Sequence, residues 1–94
     1  MSTQFVIHHD ESAKRFITTI EDQDCFLEYK DADEHTWEFF HTFVPESLRH
    51  HGIAAKLAEF ALTFAKQHHK KITPTCSYVM NFIAKNKRFR DLVD

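Results

Sequence analysis

The chain has 94 residues and a mass of 11.2 kDa, which allows one hydrophobic core and one domain over residues 1–94. Hydrophobic residues make up 43% of it and aromatic residues 14%, with one glycine and two prolines, so disordered and collagen-like classes are excluded. Residues 1–44 carry 3 Lys/Arg and 10 Asp/Glu, whereas residues 45–94 carry 9 Lys/Arg and 4 Asp/Glu; the basic half suits an anionic ligand, but the net charge of −2 disfavours nucleic acid as a partner.

The first half of the chain predicts four strands separated by three polar turns. The strands are expected over residues 4–8, 14–20, 25–29 and 35–43, with turns at 9–12, 21–24 and 30–34. In the fourth strand the alternation of residue types predicts that Trp37, Phe39, His41 and Phe43 share one face. This order favours an antiparallel meander.

The second half predicts two helices around a short strand. Pro45 stops the fourth strand, because proline cannot continue strand pairing. A helix over 52–68, a strand over 70–73, a helix over 77–85 and a last turn over 88–93 follow. The first helix has an apolar stripe that comprises Ile53, Leu57, Phe60, Ala61 and Phe64.

The order of these elements predicts an α+β fold, with helices packed on a mixed, mostly antiparallel sheet. If the fifth strand lies parallel to the fourth, the helix between them makes a right-handed crossover.

Gly52 is the only glycine and lies where the fourth strand gives way to the first helix. Backbone N–H groups and the helix dipole make such a helix start a site for an anion, and a pyrophosphate fits it well. Gly52 permits a close approach of the ligand, small Ala54 and Ala55 leave room, and Arg49 adds a charged donor. The alternative is an ordinary turn that uses a flexible residue. The segment matches neither a Walker loop nor a dinucleotide-binding glycine motif.

Three segments in order resemble one protein family. Residues 49–54 (RHHGIA) resemble the Q/R-x-x-G-x-G/A loop of the GNAT superfamily of N-acetyltransferases. Residues 41–45 (HTFVP) before it and residues 76–78 (CSY) after it resemble the HTxVP and CxY segments of the small single-domain GNAT-like branch. His50 and His51 depart from the family, where a glycine followed by a basic or polar residue is frequent. The resemblance implies the GNAT-like fold.

The resemblance also implies acetyl-CoA as the co-substrate, bound between the ends of the fourth and fifth strands. The strand backbone would pair with the pantetheine arm, the loop would hold the pyrophosphate, and the last helix would contact the rest of the molecule. A basic set in and after the last helix (Lys85, Lys87, Arg88 and Arg90) offers contacts to a 3′-phosphate, or complements the helix dipole instead. The implied binding residues are Phe43, Val44, Arg49, His50, His51, Gly52, Ile53, Ala54, Asn81, Phe82, Lys85 and Asn86.

Two residues are candidates for the chemistry. Cys76 precedes the second helix, and a thiol at a helix N-terminus has an increased thiolate fraction. It would act as a nucleophile that carries the acetyl group, as a proton donor to the departing CoA, or only as a small buried residue. His41 would act as a general base or would orient a neighbouring group. Glu38 is a weaker base candidate, and Cys25 is expected in the core.

We therefore predict an acetyl-CoA-dependent N-acetyltransferase whose acceptor is a protein lysine, an N-terminus or a small amine. The alternative is a non-catalytic CoA-binding or interaction module with the same fold. The sequence predicts a cytoplasmic protein without membrane association, because it shows no signal peptide and no apolar run of about 20 residues. A monomer or a weak dimer is expected. Its adjacent histidine pairs point apart on a strand or helix, so no metal site is predicted.

Overall fold

In the computed structural model, which describes residues 5–93, one five-stranded sheet carries two α-helices. The sheet order is β1-β2-β3-β4-β5; the first four strands are antiparallel to their neighbours and β5 is parallel to β4, which confirms the predicted mixed, mostly antiparallel sheet. Short 3-10 turns cover Glu46–Leu48 and Lys87–Leu92. The strands are β1 (His8–Asp10), β2 (Arg15–Ile20), β3 (Gln23–Asp33), β4 (Thr36–Phe43) and β5 (Lys71–Pro74); the helices are α1 (Ile53–Gln67) and α2 (Ser77–Lys85).

Two strand predictions are wrong in their bounds. Residues 5–7 lie outside any strand, residue 4 lies outside the described residues, and β1 instead occupies part of the predicted turn. Asp10 both pairs with Arg15 and accepts a hydrogen bond from the backbone N–H of Ala13, which moves the turn towards residue 13. β3 continues through the predicted turn at 30–34, because the hairpin closes later, where Asp33 accepts a hydrogen bond from the backbone N–H of His35 at 2.7 Å.

A bulge in β4 overturns the predicted alternation of that strand. Tyr29 pairs with Phe39 and Glu28 with His41, so Phe40 has no partner on β3. An extra residue of this kind reverses the faces that follow it. Trp37 and Phe39 therefore face the helices, whereas His41 and Phe43 face the opposite side of the sheet. The predicted common face of these four residues is wrong.

The core lies between the sheet and the helices. Side chains of β2, β3 and β4 that are completely buried, among them Phe16, Leu27 and Phe39, form one cluster with Leu57 of α1 and Val79 of α2. The predicted stripe of α1 is rotated, since Phe60 is 39% exposed while Ala58, Leu62 and Ala65 are buried. The face of α1 that packs on the sheet therefore consists of small and aliphatic residues.

The other side of the sheet, which we call the outer face, carries no helix within residues 5–93. Cross-strand pairs define it, because paired residues project to the same side. One row joins Ile17, Phe26 and Phe43, and the next joins Arg15, Glu28 and His41.

His9 lies in an aromatic cluster on the helix side of the sheet. Its ring stacks on Phe16 with centroids 4.4 Å apart, contacts the edge of Phe64, and its Nε2 lies 2.5 Å from the Tyr29 hydroxyl. Burial lowers the pKa of His9 below its usual value of 6.5, because desolvation disfavours the imidazolium, and the nearby Glu11 carboxylate opposes that shift. Burial also raises the pKa of Tyr29 to about 12.

This cluster makes folding stability depend on pH. The unfolded chain takes up a proton at the usual His9 pKa of 6.5, whereas the folded chain takes it up only at lower pH. The contribution of neutral His9 to the free energy of unfolding is therefore complete above pH 6.5, and it is lost as the pH falls towards the pKa of His9 in the folded chain. We expect the Tm difference between the wild type and His9→Gln to narrow as the pH is lowered from 7, whereas a constant difference would contradict the assignment. His8→Gln, at an exposed neighbouring histidine, is the control.

Candidate functional site

The strands β4 and β5 separate after a short paired segment. Their pairing runs from Thr36 with Lys71 to Phe39 with Pro74, and the backbone N–H of Cys76 then donates to the Phe39 carbonyl at 2.9 Å. Between residues 40 and 43, no described strand pairs with the β5 side of β4. The strands thus leave a gap beside residues 40–43 of β4, which we call the seam. The backbone N–H and C=O groups of β4 that face the seam are free to bind an extended ligand.

A cavity of about 450 Å³ lies at the end of this seam. This volume is within the range typical of small-molecule sites, and the lining combines strand, loop and helix residues. Of the twelve predicted binding residues, seven line it. The lining residues are Thr42, Phe43, Val44, Leu48, Arg49, His50, Gly52, Ile53, Ala54, Ala55 and Tyr78.

The N-terminus of α1 opens into the cavity without a side-chain cap. Gly52 precedes the helix at φ 75°, a left-handed conformation that favours glycine, and a Cβ added there would meet no atom within 4 Å. The first backbone bond within the helix runs from the N–H of Lys56 to the Gly52 carbonyl. The N–H groups of Ile53 and Ala54 have no acceptor within the helix and no acidic residue lies in the first turn, so the end is open to an anion.

The loop before α1 adds a cation. Arg49 Nε donates to the Val44 carbonyl at 3.0 Å, which joins the loop to the end of β4. Among residues 5–93 no carboxylate lies within 4.0 Å of the Arg49 guanidinium, so its other nitrogens remain available to a phosphate. His50 adopts φ 70°, a left-handed conformation that favours glycine. His51 is exposed and does not line the cavity.

The four binding residues predicted in and after α2 do not line the cavity. Asn81 and Lys85 are exposed, Phe82 stacks on Phe89 with centroids 6.1 Å apart, and Asn86 ends the helix by donating to the Phe82 carbonyl. Arg88 of the predicted basic set is bound to Glu59 of α1 at 2.9 Å. The contribution of these residues to acetyl-CoA binding remains a prediction that the cavity itself does not support.

The structure separates the two residues predicted for the chemistry. Cys76 directly precedes α2, half-buried, with its Sγ 3.3 Å from the Thr42 hydroxyl on the helix side of the sheet. His41 lies on the outer face, where its ring is 6.1 Å from the Phe26 ring. Among residues 5–93 no imidazole or carboxylate is hydrogen-bonded to the Cys76 thiol. The two residues therefore form no thiol–imidazole pair in this structure.

Tyr78 lines the cavity, although no defined role was predicted for it. It follows Cys76 by two positions, is 38% exposed, and burial raises the pKa of its phenol above the usual 10.0, which keeps the group protonated near neutral pH. Leu48 and Ala55 also line the cavity. Their places on the turn after β4 and at the third position of α1 were signals that could have identified them.

Other candidate sites are weaker. A larger cavity of about 950 Å³ lies between residues 5–7 and the exposed side of α1, but it contains no helix N-terminus and its Arg88 is paired with Glu59. In the described part of the chain no three metal-ligating side chains come together, and neither helix is long and apolar enough to cross a membrane.

Comparison with known proteins gives consistent matches. The model of the GCN5-related N-acetyltransferase family matches residues 15–92. Protein NATD1 of Danio rerio is 30% identical over 88 residues, covering 92% of this chain and 80% of the relative, and protein NATD1 of Xenopus tropicalis is 28% identical over 87 residues, covering 90% and 80%. The NMR structure of a GCN5-like protein from Staphylococcus aureus has the same fold, with a TM-score of 0.74 and 21% identity over 95% of this chain and 87% of that one.

Proposed function

The chain belongs to the GCN5-related N-acetyltransferase family, and from this premise we propose that it binds acetyl-CoA and transfers the acetyl group to a primary amine. One observation carries the proposal: a single cavity joins the uncapped N-terminus of α1 and the free guanidinium of Arg49 to the unpaired edge of β4. An anionic group and an extended, amide-containing arm fit these two parts. Acetyl-CoA has both.

In the proposed complex the pyrophosphate accepts hydrogen bonds from the N–H groups of Ile53 and Ala54 and from Arg49. The pantetheine arm lies along the free edge of β4 at Phe43 and beside Val44. The thioester then lies in the seam near Thr42 and Cys76, which are the polar side chains at its inner wall.

We propose direct transfer, with Cys76 as a proton donor. The neutral amine nitrogen attacks the thioester carbon, a C–N bond forms, and the C–S bond to CoA breaks. The CoA thiolate takes the proton of the Cys76 thiol, and the proton released by the nitrogen returns through water to Cys76. The absence of a hydrogen-bonded base on this thiol among residues 5–93 supports the donor role over that of a nucleophile.

Titration of the protein with acetyl-CoA by calorimetry tests the binding step. We expect saturable binding, and we expect Arg49→Ala to weaken it by roughly tenfold to a hundredfold, because a hydrogen bond to a charged group contributes about 1.5–3 kcal/mol. Lys66→Ala, which removes an exposed cation from the last turn of α1, is the charge-matched control and should leave the affinity unchanged. Equal affinities for wild type and Arg49→Ala would contradict the proposed pyrophosphate site.

A further inference from the structure

The outer face carries an apolar row that no helix of residues 5–93 covers, although the Arg15 guanidinium lies over the Phe26 ring, 5.3 Å from its centroid. Ile17, Phe26 and Phe43 cross three adjacent strands in register, and the rings of Phe26 and Phe43 lie 5.5 Å apart. Phe40, 43% exposed at the bulge, extends the patch towards the seam. Contiguous exposed aromatic side chains with a polar rim are typical of an interaction surface.

This row is continuous with the proposed acetyl-CoA site. Phe43 is 39% exposed and lines the cavity as well as ending the row. The bulge at Phe40 produces this arrangement, because it turns Phe43 to the outer face at the place where β4 leaves β5. A molecule that lies on the row therefore ends beside the seam where the thioester is proposed to lie.

Carboxylates on the outer face complement a cationic amine. Glu28 lies between Arg15 and His41 in register, and no cation of the described residues lies within 4.0 Å of its carboxylate. Glu38 lies at the seam, where its carboxylate accepts a hydrogen bond from Thr75 at 2.9 Å and has Lys30 at 3.8 Å. The two carboxylates flank the bulge and attract an ammonium group to the seam before it loses its proton.

The shape of the outer face indicates the size of the acceptor. Ile17 and Phe43, at the two ends of the row, each line a cavity, whereas the middle of the outer face at Phe26, Glu28 and Phe40 lines none of the three main cavities of the described residues. Small ligands bind in concave sites, whereas open patches suit macromolecules. Since neighbouring strands lie about 4.8 Å apart, the row is about 10 Å long, or about three residues of an extended chain.

We propose that the acceptor amine is carried on a polypeptide that lies across the outer face. An apolar side chain of the polypeptide packs on Phe26 and its row, and a neighbouring lysine side chain or N-terminal amine enters the seam past Glu28 and Glu38. This inference rests on the proposed function, because it assigns the acceptor of the same transfer.

Acetylation of matched acceptors tests the proposal. The probes are peptides of about ten residues, long enough to cross the sheet, with one lysine flanked by leucines and a blocked N-terminus; the same peptide with serines for leucines; a lysine-free peptide with a free N-terminus; and n-butylamine. We expect the leucine-flanked peptide to have a kcat/KM at least about tenfold above that of n-butylamine. The lysine-free peptide identifies which of the two amines is used.

Variants of the outer face distinguish the surface from the rest of the site. We expect Phe26→Ser to lower kcat/KM for the leucine-flanked peptide by about tenfold and to keep the n-butylamine rate. Glu28→Lys leaves the apolar row in place and is expected to lower kcat/KM for both the peptide and n-butylamine, because the carboxylate attracts either ammonium group. Both variants are expected to keep the acetyl-CoA affinity of the wild type. Met80→Ser, at a 52% exposed residue of α2 on the helix side of the sheet, is the control.

Each other outcome overturns the inference. Equal kcat/KM values for n-butylamine and the leucine-flanked peptide would indicate that the acceptor is a small amine. A kcat/KM for the peptide that neither variant changes would indicate that the acceptor binds elsewhere on the protein. Dimers of the wild type that Phe26→Ser dissociates would make the outer face a self-association surface. Loss of acetyl-CoA binding by the wild type would reject the proposed function itself, a result that calorimetry separates from all of these.

Discussion

Replacement of Gly52 by valine is expected to abolish acetyl-CoA binding while the protein still folds. Gly52 has φ 75° and lines the cavity, and a Cβ there meets no protein atom within 4 Å. The folded chain thus tolerates the side chain sterically, at a backbone cost of about 1–2 kcal/mol for a left-handed residue. The added methyl groups occupy the space beside the first N–H groups of α1, where the pyrophosphate is proposed to lie. Calorimetry and thermal unfolding measure the two effects separately.

A matched control isolates the effect of ligand exclusion from that of backbone strain. Lys14 also has a left-handed conformation, with φ 54°, in the turn between β1 and β2, away from the cavity. We expect Lys14→Val to lower Tm by less than Gly52→Val, because Lys14 already has a Cβ in this conformation, and to leave acetyl-CoA affinity unchanged. If Gly52→Val bound acetyl-CoA as tightly as the wild type, the cavity at α1 would not be the binding site.

Replacement of Cys76 by alanine is expected to lower kcat by roughly a hundredfold, the usual size of a general-acid contribution, with little change in acetyl-CoA affinity. The thiol lies beside Thr42 at the inner wall of the seam, where it can protonate the leaving CoA thiolate. Steady-state kinetics with a saturating amine measure the change. Cys25→Ala is the matched control: Cys25 is completely buried in the core, so its loss should lower Tm but not kcat.

Intact mass after incubation with acetyl-CoA separates the two roles considered for Cys76. The donor role predicts no added acetyl group in the wild type. An acetyl group that is present in the wild type and missing in Cys76→Ala would contradict direct transfer and would assign Cys76 as a nucleophile. Unchanged kcat in Cys76→Ala would exclude both roles.

The helices were predictable because their sequence signals are local. The apolar period and Gly52 placed α1 within one residue of its observed ends, and the bounds predicted for α2 match the observed helix. The antiparallel order of the first four strands followed from the same element order, whereas the direction of β5 was left open and its parallel pairing with β4 comes from the structure. The side of the sheet on which each residue of β4 lies was not predictable, because an alternating sequence contains no signal for the unpaired Phe40 that reverses the pattern.

The candidate site was predictable where it is contiguous in sequence. The loop from Arg49 to Ala54 forms one wall, so a motif identifies most of it. The contacts that depend on packing between distant elements were not predictable in the same way. Tyr78 reaches the cavity because α2 begins beside the end of the β4–β5 pairing, whereas Phe82 is used to pack against Phe89. His41 was assigned to the wrong face for the same reason as Phe43.

The central claim is that the open N-terminus of α1 and the free edge of β4 together bind acetyl-CoA. Amide NMR spectra recorded during titration with acetyl-CoA test it most directly, because each N–H group reports separately. The account predicts that the largest shifts occur at Phe43, Val44, Gly52, Ile53 and Ala54. Absent shifts, or shifts concentrated at Phe60 and Phe64 in the larger cavity on α1, would contradict it.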